Sequence, residues 1–272
     1  MKQKVDIIVA NPAGNITIFV KTPFERRMYQ KVASQLLAME EYKGEQVSFI
    51  LDAPECGRAE GKMEMCGLEF CGNGSRSFGL ITAKKLGIKG HGKTFVDVSG
   101  CDEILTVEVD TDTNYTKVKM PAPVEIKTLD LSNIIGEREV KAIDFGGILH
   151  IILTDQKADQ ETFEQIKEYV NKKLDPPALG VMFYDLKAKT LTPVVYVKDV
   201  DTTYFEGSCG SGTTACAVAF SIGKPDGVYT YTFPQPAGVI DSTVEIADGN
   251  IKSVYIEGPV ELSDVITVEI DV

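Results

Sequence analysis

Two stretches decide how the chain reads: Cys71-Gly72-Asn73-Gly74-Ser75 and Cys209-Gly210-Ser211-Gly212-Thr213. In each, a cysteine stands just before a Gly-x-Gly turn, and the residues after the first turn predict a helix over 74–86, closed by Gly87. Cys209 follows Cys71 by 138 residues, about half of the 272-residue chain. A second landmark agrees within one residue, because the Phe163-Glu164 start of a helix expected over 163–174 follows Phe24-Glu25 by 139. Order, spacing and following helix all match, so the halves read as an internal duplication. The expected fold class is α/β in the α+β sense. It has two pseudo-symmetric domains, each a mostly antiparallel curled sheet around a central helix, because hairpin-length connections outnumber helical crossovers.

Outward from the motifs, strands at 5–10 and 16–21 flank the turn Asn11-Pro12-Ala13-Gly14-Asn15. Pro23 suits the first turn of a helix that carries Phe24, Met28, Val32 and Leu36 on one face. Strand-like runs follow at 45–53, 62–65, 94–98, 104–109 and 115–120, and one at 147–153 precedes the second-half helix. Pro121-Ala122-Pro123 is the best linker in the chain, which puts one domain at 1–120 and the other at 121–262.

Composition narrows the partners. Lys and Arg total 28 against 40 Asp and Glu, a formal charge of −12, so the chain offers no sequence-wide basic field for nucleic acid or anionic lipid. No apolar run approaches the ~20 residues that span a bilayer, and the first residues do not form a signal peptide, so a cytoplasmic protein is expected. Six cysteines (Cys56, Cys66, Cys71, Cys101, Cys209 and Cys216) are too few for a disulfide scaffold and read as thiols. With only His91 and His150, catalysis by several imidazoles is excluded.

A cysteine ahead of a helix meets the positive end of the helix dipole, which favours thiolate, and backbone N–H groups that can hold a carboxylate. Two such sites related by duplication suit one reaction above others: a thiolate removes a proton from one face of a carbon acid and a thiol delivers one to the other face. Cys56, Cys101 and Cys216 read as small buried apolar residues. Cys66 and Cys71 lack the partners of a zinc site, and Gly72-Asn73-Gly74 lacks the last glycine of a dinucleotide fingerprint. No metal or cofactor is expected. A thiol–disulfide redox protein using Cys71 and Cys209 is the alternative from another class.

At these motifs the chain resembles the diaminopimelate epimerase family of cofactor-independent, two-cysteine amino-acid racemases. Cys71-Gly72-Asn73-Gly74-Ser75-Arg76 is similar to the family's first catalytic motif, and Cys209-Gly210-Ser211-Gly212 with Ala215-Cys216-Ala217 to its second. Gly14-Asn15 and Gly147-Ile148-Leu149-His150 fall at further family positions. The resemblance implies the diaminopimelate epimerase-like fold, a final strand over 263–272 returning to the first domain, and a homodimer. It implies Cys71 and Cys209 as the acid/base pair and a small amino-acid substrate. Asn15, Gly72, Asn73, Gly74, Gly210, Ser211 and Gly212 would contact or cradle that substrate. His150 would line the site, and Glu206 would receive an α-ammonium or an imidazole N–H, with Glu69 a weaker candidate.

Departures concern the substrate. Where the epimerase reads the distal end of diaminopimelate with a Glu-Arg pair and asparagines, this chain has Val200-Asp201, Ile148 and Pro193. A site stripped of such polar partners binds a charged tail poorly. Asn11-Pro12-Ala13-Gly14-Asn15 and Glu69-Phe70-Cys71-Gly72-Asn73 instead resemble the histidine racemase branch. Diaminopimelate or another amino acid is the alternative substrate.

Overall fold

The computed structural model describes residues 2–53 and 57–271, without the side chains of Arg138 and Val200. Cys56 and the Val200 side chain, both named above, therefore lie outside the described residues. The chain divides into two compact units, Met1–Lys119 with Glu257–Val272, and Met120–Ile256.

The first unit runs β1 (Lys2–Asn11), β2 (Thr17–Val20), α1 (Tyr29–Leu37), β3 (Gln46–Leu51), β4 (Gly61–Met65), α2 (Gly72–Leu86), β5 (His91–Val98), β6 (Leu105–Asp110) and β7 (Tyr115–Lys119). Its strands lie in the order β7-β6-β5-β4-β3-β2-β1. Pairs β2–β3 and β4–β5 are parallel, each joined through a helix, and the other neighbours are antiparallel.

The second unit runs β8 (Glu125–Leu131), α3 (Ser132–Ile135), β9 (Glu137–Asp144), β10 (Leu149–Thr154), α4 (Gln160–Lys173), β11 (Ala178–Asp185), β12 (Thr190–Val197), β13 (Thr202–Phe205), α5 (Gly210–Ser221), β14 (Gly227–Gln235), β15 (Gly238–Ala247) and β16 (Asn250–Pro259). One sheet has the order β13-β12-β11-β10-β9-β8, with β10 and β11 parallel across α4, and β14, β15 and β16 are neighbours in that order. The chain then returns to the first unit as β17 (Glu261–Leu262) and β18 (Ile266–Asp271), both antiparallel to β1. Each unit thus has the order strand, helix, parallel strand, antiparallel strand, motif helix and further strands, with β13 inserted ahead of α5 in the second.

The helices are of two kinds, for reasons visible in their residues. α1 buries Tyr29, Val32, Ala33 and Leu36 on one stripe, and α4 buries Phe163, Ile166 and Val170, each against its own unit's sheet. α2 is buried on every side over residues 72–80 and α5 over residues 212–218. α5 places Ala215, Cys216, Ala217 and Val218 wholly out of solvent. Gly79 lets α2 lie close on β6, because a Cβ there would sit 2.5 Å from the Val107 side chain. These small-residue helices carry the cysteines at their N-termini.

Two expectations change. The first helix does not start at Pro23: Glu25 is extended (φ −71°, ψ 145°), a 3-10 turn spans Arg26–Met28, and α1 begins at Tyr29. From that turn the Arg26 side chain donates from Nε to Glu64 Oε2 at 2.9 Å. α4 starts at Gln160, ahead of Phe163, because Asp159 caps it by accepting the Thr162 N–H at 2.8 Å. Phe24 therefore precedes its helix whereas Phe163 lies inside one, so the Phe-Glu landmark pairs unlike positions; the cysteine landmark pairs like ones. Cys216 is fully buried as expected, but Cys101 is only partly buried and its Sγ donates to Glu103 O at 3.4 Å.

Candidate active site

Cys71 is the residue that caps α2. Its extended backbone (φ −129°, ψ 111°) turns the sulfur back over the first turn, where the Gly74 N–H donates to Sγ at 3.2 Å. Gly72 and Asn73 belong to the same first turn, which has no carbonyl one turn earlier to receive their N–H groups. Gln46, at the start of β3, reaches Cys71 Sγ with Nε2 at 3.2 Å, and the same amide lies 2.7 Å from Asn15 Oδ1 and 2.9 Å from Thr17 Oγ1. Asn15 also donates to Glu45 Oε2 at 3.0 Å.

Behind this layer lies a buried cation. Arg76 is wholly inaccessible and donates from Nε to Asn73 Oδ1 at 3.1 Å and from one terminal nitrogen to Gly258 O at 2.9 Å. Its other terminal nitrogen has no partner among the described residues. Burial lowers the Arg76 pKa to about 10, opposed by negative charge at Cys71 and at Tyr115. The guanidinium stays charged at neutral pH, and an anionic sulfur at Cys71 stabilises it.

Cys209 caps α5 with nearly the same backbone (φ −132°, ψ 113°), and the Gly212 N–H donates to its Sγ at 3.4 Å. Gly212 lets Met182 pack on the turn, since a Cβ there would lie 2.1 Å from Met182 Sδ and push that side chain aside. Gln235 on β14 accepts the Cys209 N–H at 2.9 Å and donates to Thr213 Oγ1 at 2.9 Å, which clamps the turn. Ser211 Oγ lies 3.6 Å from Cys209 Sγ and 2.9 Å from His150 Nε2. Burial pushes the Cys209 thiol well up from its ordinary range, and the Glu206 charge and its hydrogen bond push it further; Ser211 and the Gly212 N–H oppose them.

Every candidate acid/base or substrate-contacting residue from the sequence thus falls at one or other cysteine, except Glu69, whose side chain is exposed. His150 is fully buried and reaches the motif through Ser211. Sequence reasoning missed Gln46, Gln235 and the role of Arg76. Both glutamines sit in strands and touch residues far along the chain, so only an unusually polar residue in an apolar run could have flagged them. Among the described residues no three His, Cys, Asp or Glu side chains gather as metal ligands, and no helix is long and apolar enough to cross a membrane.

The family model described as "Histidine racemase CntK N-terminal domain" matches residues 4–265. The chain belongs to the histidine racemase family. As a member of that family it is an isomerase of the amino-acid racemase class. It is 32% identical over 269 residues to the histidine racemase of Fusobacterium nucleatum subsp. nucleatum, covering 96% of this chain and 95% of that one. It is 25% identical over 244 residues to the histidine racemase of Staphylococcus aureus, with 88% of each covered. Among solved structures, a hydroxyproline epimerase from Agrobacterium vitis matches with a TM-score of 0.68 at 11% identity, over 98% of this chain and 92% of that one. A methylitaconate-delta-isomerase matches with a TM-score of 0.62 at 13% identity, over 99% and 96%. At such identities the two structures show a shared fold, which this racemase family member carries in both units.

Proposed function

We propose that the protein interconverts L- and D-histidine without a cofactor, with Cys71 and Cys209 as a two-sided acid/base pair at the α-carbon. The observation that carries this reading is the matched pair of capping cysteines, each with its sulfur over a first helical turn. The relatives named histidine racemase support the substrate.

The α-hydrogen of an amino acid is very weakly acidic, so the charge that develops on the carboxylate as it leaves must be held by preorganised donors. The amides of Gly72 and Asn73 on one side and of Gly210 and Ser211 on the other supply them, and Gly74 and Gly212 allow the turns. Asn15 and Glu206 contact the amino or imidazole end of the substrate. The surroundings support one distribution of starting states. Arg76 favours negative charge at Cys71, and burial with Glu206 favours the neutral thiol at Cys209. Cys71 then takes the proton and Cys209 gives one to the opposite face; the reverse reaction exchanges the roles.

The test is α-proton exchange with chiral product analysis in deuterated buffer under reductant. The panel of L-amino acids includes histidine and LL-diaminopimelate. Exchange with formation of the D isomer from histidine is expected. Conversion of diaminopimelate in preference to histidine would overturn the substrate, and a working cycle that requires a disulfide would overturn the chemistry.

A further inference from the structure

We propose that His150 is a positioning residue for Cys209, donating from Nε2 to Ser211 Oγ so that the Ser211 hydroxyl proton is directed onto the Cys209 sulfur. This inference rests on Cys209 being one of the two acid/base groups proposed above, and it gives the buried imidazole a part that substrate contact cannot.

The geometry excludes direct contact with a ligand, because His150 on β10 has no solvent-accessible surface. Its ring lies against Gly180 of β11, where a Cβ would come within 2.1 Å of Nδ1, so no other residue type at 180 leaves room for the ring as placed. Phe145 meets the ring edge-on, with centroids 6.1 Å apart. Nε2 lies 2.9 Å from Ser211 Oγ, while Nδ1 is buried with no partner among the described residues.

That unpartnered nitrogen decides the tautomer. A neutral imidazole carries one N–H. With the proton on Nδ1, a buried donor would go unmet and the Ser211 proton would be drawn to Nε2, away from the sulfur. With the proton on Nε2, only a lone pair goes unmet, a lesser penalty than an orphaned N–H, and the Ser211 O–H is left for Cys209 Sγ at 3.6 Å. His150 is no proton relay, since burial lowers its pKa to about 3 and it stays neutral where a racemase works.

The sulfur of Cys209 thus has two aligned donors, Ser211 O–H and Gly212 N–H, which matter most when it is an anion. Against them stand burial and the carboxylate of Glu206. From the neighbouring strands, Met182 on β11 and Gln235 on β14 bring no charge. His150 and Ser211 therefore make Cys209 able to serve as base on the return stroke, in a pocket that otherwise keeps it a thiol.

The experiment is ultraviolet titration of the Cys209 thiolate in the full-length Cys71→Ala protein, read as the difference from Cys71→Ala/Cys209→Ala. Adding Ser211→Ala or His150→Phe should raise the titration midpoint by about one to two pH units, a tenfold to hundredfold loss of thiolate. Ser211→Thr, which keeps the hydroxyl, and His150→Gln, which keeps a donor, should restore most of it. In the otherwise intact enzyme Ser211→Ala should lower kcat/KM by one common factor in both directions, because enantiomers have an equilibrium constant of one. An unmoved midpoint in Ser211→Ala overturns the proposal, as does a midpoint that shifts equally with and without the hydroxyl. The titration needs no substrate, so its failure is distinct from a failure of histidine as substrate.

Discussion

The two cysteine pockets share a backbone and differ in nearly everything else. Both cysteines cap their helices within a few degrees of the same φ and ψ, and both sulfurs accept the N–H three residues on. In both, the side chain two residues after the cysteine is tethered by a buried nitrogen: Arg76 Nε holds Asn73 Oδ1 at 3.1 Å, and His150 Nε2 meets Ser211 Oγ at 2.9 Å. One tether is a permanent cation and the other a neutral ring. Asn73 then turns toward Asn15, whereas Ser211 turns toward its own cysteine. The two turns share a capping geometry, while the groups around each sulfur differ. The proposed racemisation draws on that combination, with like amide groups at the two motifs and unlike protonation of the two thiols.

The comparison breaks most completely if either thiol proves dispensable. Replacing Cys71 or Cys209 with serine leaves the cradle intact but substitutes a hydroxyl that is a far poorer base, and each replacement should cost at least about a thousandfold in racemisation. Chiral chromatography of product from both isomers checks this. Full two-way turnover by either variant would show that one cysteine suffices.

A smaller effect should come from the charges. Arg76→Met removes the cation from the Cys71 pocket, and Glu206→Gln removes the anion from the Cys209 pocket. The thiolate fraction should fall about tenfold at Cys71 in the first and rise about tenfold at Cys209 in the second. Alkylation rates at neutral pH, resolved by peptide mass spectrometry, read the two sites in one sample. Equal reactivity of the two cysteines before and after both changes would remove the electrostatic distinction while leaving the shared backbone. Arg76→Met should also lower stability, because it strands Asn73 Oδ1 without its buried donor and leaves the Gly258 carbonyl to the Thr116 hydroxyl at 3.2 Å.

How much of this was legible in the sequence follows from the range of each interaction. The cysteine turns were legible because a cap, its glycines and its helix are contiguous, and the repeated order of elements was legible from the spacing of the two turns. The start of α1 was not, since a 3-10 turn over Arg26–Met28, whose Arg26 side chain bonds Glu64 38 residues away, leads into it. Nor was the role of Arg76. It stood in plain view inside the motif, yet its principal acceptor, Gly258, lies 182 residues on. Gln46 and Gln235 have ordinary strand neighbours and acquire meaning only when β3 and β14 bring them to a capping cysteine. His150 was picked out by its family position, but its complete burial, and with it a part played through Ser211, depends on Gly180 in the adjacent strand leaving room for the ring.

The smallest expected effect separates the two tethers by pH. Arg76 keeps its charge through the acid and neutral range, so that tether gains or loses no proton there. His150 is different, since burial depresses its pKa to about 3 in the folded protein against an ordinary 6.5 in the unfolded chain. Between those values the unfolded chain binds a proton that the native protein does not, so stability must rise with pH across the window and fall as pH drops below 6.5. From pH 7 to pH 6 the His150 share of that loss is under about 1 kcal/mol, and it steepens toward about 1.4 kcal/mol per unit further down. Urea unfolding of the parent and of His150→Gln at pH 7, 6 and 5.5 isolates it, because every other titrating group is common to both proteins. The variant should be less stable at pH 7, having lost a fitted ring, but should lose less on acidification. Parallel pH slopes for the two proteins would mean that the imidazole is protonated in the fold, and a cationic His150 would make the two tethers alike.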